Sequence, residues 1–333
     1  MRRRFDICAA YSNQFLGYGV NIIFFIFLAI ITIMGILENL CNSIAFLCTL
    51  YYNITCMLKL MYITNNPEVA LIAQKYGVDR IWVDLETLGK EDRQKNINSV
   101  KSHHKVEDIK KIAPLLTSSE MLVRINPWNI LSVEEIDRVI EAGAELIMLP
   151  MWKSVSEVCE FVKAVNGRAK TVLLLETKQA AECLDDVLKL DGIDEIHIGL
   201  NDLHLSYGLT FMFELLTNGT VESICNKIQA KGIPYGFGGV AKIGEGMLTA
   251  EKIILEHYRL GSQRVILSRS FCNAEQLTSV DEVEKLFREN IVSLRNFENY
   301  AANADASVLL RNKDEVRECV QQIVASIMEK KNK

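Results

Sequence analysis

TVLLLET (residues 171–177) and EIHIGLNDL (residues 195–203) are short apolar runs, and each leads to a carboxylate, Glu176 in the first and Asp202 in the second. A continuous apolar run of this length reads as a parallel strand buried on both faces. In a barrel of alternating strands and helices, active-site groups stand where the strands end. Consecutive strand ends are neighbours, so Glu176 and Asp202 are expected side by side. Like charges that close call for a shared proton or a bound cation.

Outward from that pair the same pattern repeats. Apolar runs rich in β-branched residues occur at 58–64 (LKLMYIT), 80–86 (RIWVDLE), 120–126 (EMLVRIN), 145–150 (ELIMLP), 233–240 (IPYGFGGV) and 264–269 (RVILSR). Helix-period stretches such as SVEEIDRVIEAGA (132–144) and TAEKIILEHYRLG (249–261) separate them. Glycines 77, 143, 167, 192, 232 and 261 mark helix-to-strand junctions, where a left-handed residue ends a helix. Ser132 and Thr249 are expected to open helices, and Ser132 with Glu135 predicts a capping box. Eight alternating units predict an α/β fold, a closed (β/α)8 TIM barrel, over 57–300. An open doubly wound sheet is disfavoured, because no Rossmann glycine fingerprint follows the first strand. DEVEKLFRENIVSLRNF (281–297) is expected to supply the eighth helix, and 301–333 a further helical extension.

Composition narrows the class. The 333 residues are 49% hydrophobic and 24% charged with a net charge of −5, so no nucleic-acid partner is expected. Nine cysteines include no CxxC pair, which argues for free thiols in a reducing compartment rather than a zinc or redox site. Residues 1–56 form an apolar N-terminal extension. No charge falls between Asp6 and Glu38, and residues 15–37 are long enough to span a bilayer behind Arg2, Arg3 and Arg4. Two expectations follow: a membrane anchor through residues 15–37, or sequence upstream of a true start at Met57 or Met61 that leaves a cytoplasmic barrel.

The strand ends gather polar groups: Asp84 and Glu86, then Arg124, Glu176, Asn201 with Asp202, the glycines of GFGG, and Ser268, Arg269 and Ser270. DLE (84–86), VRIN (123–126), GAELIMLP (143–150), LLLET (173–177) and IGLNDLHLSYG (198–208) together resemble the HpcH/HpaI aldolase and citrate lyase family. The resemblance covers about residues 58–275. It implies a (β/α)8 barrel of the pyruvate-binding kind, acting on pyruvate-like or acyl-CoA substrates through a divalent ion. It also implies that Glu176 and Asp202 ligate that ion, that Arg124 contacts the substrate oxyanion, and that the chain forms a homo-oligomer.

The chemistry of the residues agrees. Two carboxylates completed by water suit Mg2+ or Mn2+, and such an ion polarises a chelated keto group. Arg124 adds a fixed positive donor, and backbone N–H groups of Leu200, Asn201 and Asp202 are candidates for the substrate carboxylate. The family's aldolases place a histidine directly after the acidic residue of the second strand, where this chain has Thr87. His103 or His104, in the following loop, is therefore the expected general base. Asp84 and Glu86 are expected to orient Arg124 or water. His204 is a further candidate for substrate contact, whereas His197 and His257 are expected to pack in the core. Lys242 and Arg269 are candidates for an anionic substrate group.

The function expected is a class II aldolase-type carbon–carbon lyase that cleaves or forms a 4-hydroxy-2-oxo acid, with a 2-oxo acid and an aldehyde as partners. An acyl-CoA thioester lyase of the citrate lyase β type is the alternative. A membrane-tethered barrel that only binds a metabolite is the third.

Overall fold

The computed structural model describes residues 57–89, 104–274 and 279–331. Eight parallel strands close into a barrel in chain order: β1 (Lys59–Ile63), β2 (Arg80–Asp84), β3 (Glu120–Arg124), β4 (Leu146–Leu149), β5 (Lys170–Leu175), β6 (Glu195–Ile198), β7 (Tyr235–Val240) and β8 (Arg264–Leu267). Every predicted strand is present. Several end one or two residues before their apolar runs do, because the last residues turn outward into the loops that carry polar groups.

Alternation along the strands fills the barrel. Met61, Trp82, Leu122, Leu146, Met148, Val172 and Leu174 form an inner apolar cluster. Beneath it, the first residues of the strands close the barrel with charge. Arg80 donates two hydrogen bonds of 2.6 Å to Glu195, Arg264 approaches the same carboxylate at 2.8 Å, and Glu120 takes Arg80 at 3.0 Å and Lys170 at 2.6 Å. Burial pushes Glu195 up, but the two guanidiniums win and hold it down at about 2. The barrel is thus shut at its N-terminal end, and its opening lies where the strands finish.

Helices α1 (Pro67–Lys75), α2 (Val106–Ile112), α3 (Ser132–Glu141), α4 (Val155–Val165), α5 (Lys178–Glu182), α6 (Leu184–Val187), α7 (Leu200–Ser206), α8 (Glu214–Thr217), α9 (Thr220–Ala230), α10 (Ala250–Arg259), α11 (Val280–Ala302) and α12 (Ala306–Lys331) surround the strands. All six junction glycines adopt positive φ, from +66° to +110°. The capping box expected at Ser132 does not form. Leu131 is the N-cap, Ser132 Oγ accepts from the Asn129 N–H, and the Glu135 carboxylate accepts from Asn126 instead. The box stands at Ser154 and Glu157. Thr249 is an N-cap, but its side chain makes no capping bond. Helix α12 is tied to α10, where Asn312 donates to Glu256 and Lys252 meets Glu315.

Residues 15–37 lie outside the described residues. Among the described residues, no helix is long and apolar enough to cross a membrane.

Candidate active site

A cavity of about 540 Å3 occupies the C-terminal mouth of the barrel and is lined by Asp84, His104, Arg124, Glu176, Asn201 and Asp202, among others. Six residues picked out from sequence therefore share one space, although they come from four strand ends.

Arg124 ends β3 and is paired in register with Asp84 at the end of β2. That register sets the pair's geometry. The guanidinium donates from Nε to Asp84 Oδ1 and from Nη2 to Asp84 Oδ2, both at 2.8 Å, and a third contact reaches Glu86 Oε2 at 3.2 Å. Its face lies over Trp82, with 5.2 Å to the ring centroid. Burial opposes the charge on Arg124, but Asp84 and Glu86 outweigh it, so the guanidinium stays protonated. Asp84 and Glu86, at alternate positions, both reach Arg124.

Glu176 follows β5 and is almost fully buried, with Oε1 accepting from the Met151 N–H at 3.1 Å. Met151 adopts φ +54°, an uncommon left-handed conformation for a non-glycine residue, and so turns its N–H to this carboxylate. Gly199, just before Asp202, gives Glu176 its room: a Cβ there would stand 2.8 Å from Glu176 Oε2 and 2.9 Å from its Cβ. Burial pushes the Glu176 carboxyl well above the usual carboxylate range. Arg124 pulls it back, while the neighbouring charges of Asp202 and Glu86 push it further up.

This electrostatic arrangement tests the fit of a dication. A buried carboxylate crowded by two others, with one arginine as counter-charge, is relieved by a further positive charge. Glu176 and Asp202 also supply the hard oxygen donors that Mg2+ and Mn2+ prefer. Among the described residues no cluster of three or more His, Cys, Asp or Glu side chains is arranged to hold a metal. The site fits an ion held by two carboxylates with substrate or water completing the shell, not an all-protein cage.

Leu200, Asn201 and Asp202 form the first turn of α7, where backbone N–H groups lie outside the helix's own ladder. The loop after β2 is held from the end of the neighbouring strand, β3. Asn126 Oδ1 accepts from the N–H groups of Thr87 at 2.9 Å and Leu88 at 3.0 Å, and Asn126 Nδ2 donates to Glu135 at 2.8 Å. Sequence reasoning assigned Glu135 to a cap and missed this clamp; Asn within VRIN was its only trace.

The histidines separate. His103 lies outside the described residues. His104 lines the cavity, and the Asp84 backbone N–H donates to its Nδ1 at 3.0 Å. A ring that accepts at Nδ1 is assigned the tautomer with its proton on Nε2. With Nδ1 taken by this bond, Nε2 is the ring nitrogen that would serve the proton-transfer role expected for His104. His204 is buried, keeps its Nδ1 at 3.2 Å from the Leu200 carbonyl of its own helix, and is not part of the cavity wall. His197 is buried, as expected, yet borders the cavity; its Nε2 donates to the Gly238 carbonyl at 3.1 Å, and burial lowers it to about 4. His257 stacks on Phe237 at 3.8 Å, with its Nδ1 2.7 Å from Ser262 Oγ, and burial lowers it to about 3. Lys242 and Arg269 both border a second cavity of about 380 Å3, although Lys242 is also paired with Glu245 at 2.7 Å.

A closed (β/α)8 barrel that gathers acids and an arginine at its C-terminal mouth has the layout of a barrel enzyme's active site. Residues 59–233, just over half of the chain, match the profile of the HpcH/HpaI aldolase/citrate lyase family, and the chain belongs to that family. It is a carbon–carbon lyase by that membership. No curated protein matches the chain. Solved structures share the fold. An HpcH/HpaI aldolase from Desulfitobacterium hafniense DCB-2 aligns with a TM-score of 0.50 at 16% identity, over 72% of this chain and 93% of that one. An HpcH/HpaI aldolase/citrate lyase family protein from Burkholderia cenocepacia J2315 gives 0.51 at 14%, over 72% and 94%. Citrate synthase SbnG gives 0.51 at 16%, over 74% and 96%.

Proposed function

We propose that the chain is a divalent-metal-dependent lyase of the class II aldolase type, which cleaves or forms a 4-hydroxy-2-oxo acid through a pyruvate enolate. The observation that carries this is the buried Glu176, which shares one cavity with Asp202 and Arg124 and feels the added negative charge of nearby Glu86. Glu176 and Asp202 would hold Mg2+ or Mn2+. When bound, such an ion supplies Lewis acidity toward the carboxylate and keto oxygens of a 2-oxo acid.

The chain's own residues do the rest. Arg124, fixed by Asp84 and Glu86, presents a charge that cannot be deprotonated beside the oxygen on which negative charge develops. Because both carboxylates hold it before substrate arrives, little reorganisation accompanies the reaction. The first turn of α7 offers its N–H groups to the substrate carboxylate. His104, anchored at Nδ1 by the Asp84 N–H, lies at the cavity as the candidate for moving the substrate proton, with His103 as the other.

Glu176→Ala tests the proposal. In excess Mg2+ the variant should lose decarboxylation of oxaloacetate, a generic substrate for enolate chemistry. A rate equal to that of the wild type would place the chemistry elsewhere.

The alternative, an acyl-CoA thioester lyase of the citrate lyase β type, draws on Lys242 and Arg269 beside the second cavity, since paired cations suit a diphosphate. Comparing turnover of 4-hydroxy-2-oxo acids with that of malyl-type thioesters separates the two.

A further inference from the structure

The cavity is chemically divided. Its acids and Arg124 stand on the arc from β2 to β6. The remaining wall runs through the segment after α7, the loop after β7, α10 and the end of β8. Its buried part is Phe211, Phe213, Ala241, Leu248, Ile253 and Leu267, none more than 7% exposed, while Ser268, Ser270 and Asn273 add polar groups only toward the more open edge. Phe211 and Phe213 meet edge to face, with centroids 5.3 Å apart. Among the described residues lining this arc, Arg269 is the only charged one, and it stands exposed at the rim.

A three-carbon keto acid held by Glu176, Asp202 and Arg124 fills only a small part of the 540 Å3. Whatever shares the cavity meets the apolar wall. A hydroxylated or carboxylated chain would give up water there with few buried polar partners in return, whereas an alkyl or aryl group gains by leaving water.

We propose that the second substrate is an apolar aldehyde, carrying an alkyl chain or aromatic ring that lies against Phe211, Phe213 and Leu248. This rests on the pyruvate-enolate function and adds the identity of the acceptor. In the condensation, the C3 proton of pyruvate is removed and C3 forms a bond to the aldehyde carbon. The carbonyl π bond breaks, and its oxygen takes up a proton to become the 4-hydroxyl. Nothing is oxidised or reduced.

The test uses the full chain with Mn2+ and pyruvate in two stages. Loss of the pyruvate methyl signal in D2O, followed by NMR, reports enolate formation without any aldehyde. Product formation is then measured with hexanal and benzaldehyde, and with glycolaldehyde and glyoxylate. The expected kcat/KM for the apolar pair exceeds that for the polar pair by about tenfold or more. Phe213→Ala should narrow that ratio by about tenfold, with folding checked by thermal melting. Met247→Asp, at a side chain 64% exposed on the same cavity and so tolerant of change, should narrow it as well. Methyl exchange with an equal or greater preference for glycolaldehyde or glyoxylate overturns the proposal and leaves the lyase chemistry standing. Absence of exchange overturns both.

Discussion

Replacing Gly199 by alanine asks whether the placement of Glu176 governs activity. Gly199 has φ −82° and ψ 88°, which a side chain tolerates, so the backbone need not move. The added methyl would stand 2.8 Å from Glu176 Oε2, 2.9 Å from Glu176 Cβ and 3.3 Å from Leu174 Cδ1. Ordinary contact begins at ~3.5 Å, so the carboxylate must retreat by roughly 0.7 Å. That retreat strains the 3.1 Å bond from Met151 N–H and shifts the oxygens meant for the ion. Overpacking costs about 1–3 kcal/mol, while the reduced freedom of the unfolded chain returns roughly 0.4–1 kcal/mol. The net loss of stability is then about 0–2.6 kcal/mol, small for a barrel of this size. Activity should fall much further, on the order of 100-fold, as for a reacting group displaced by about an ångström. Oxaloacetate decarboxylation titrated with Mn2+, beside urea denaturation of the same preparation, separates the two effects. Activity within twofold of wild type at every Mn2+ concentration would refute the reasoning.

Asp84→Asn keeps the shape but removes the charge and one of the two acceptors that fix Arg124. Steady-state kinetics should show kcat reduced roughly 10- to 100-fold with a smaller change in KM, and an unchanged kcat would contradict the orienting role. His197 and His257 titrate at about 4 and about 3, below the ordinary 6.5, so between those values the folded protein holds fewer protons than the unfolded chain. Their contribution is intact above pH ~6.5 and is lost as pH falls toward 4 and then 3, by about 3 kcal/mol for His197 alone. Urea midpoints should therefore drop between pH 7 and 4.5, and drop less in His257→Gln; equal slopes in the two proteins would contradict this.

The fold was legible because burial on both faces writes strands as unbroken apolar runs, and because glycine marks each turn back into the barrel. Strand ends also pointed to Asp84, Arg124, Glu176 and Asp202, which do share one cavity, because residues that close a barrel's strands face its C-terminal mouth; the roles proposed for them came from the family resemblance. Other features depended on partners distant in sequence. Whether Glu135 capped its helix or held Asn126 was decided by the loop lying across it. Nothing local marks His104 as an acceptor for the Asp84 N–H, because that bond joins residues 20 apart. The ion network of Arg80, Glu195 and Arg264 hides in runs that look uniformly like strands. Most of the apolar wall (Phe211, Phe213, Ala241 and Leu248) comes from loops, whose sequence carries no period that says which cavity they face.

The central claim is that Glu176 and Asp202 hold one divalent ion between them. Titrating Mn2+ into the wild-type chain by calorimetry, and then into Glu176→Gln and Asp202→Asn, tests it most directly. One ion should bind the wild type, and each substitution should weaken binding by about 100-fold, the loss of a ligand exceeding that of a supporting group. Binding as tight as wild type in either variant would contradict it.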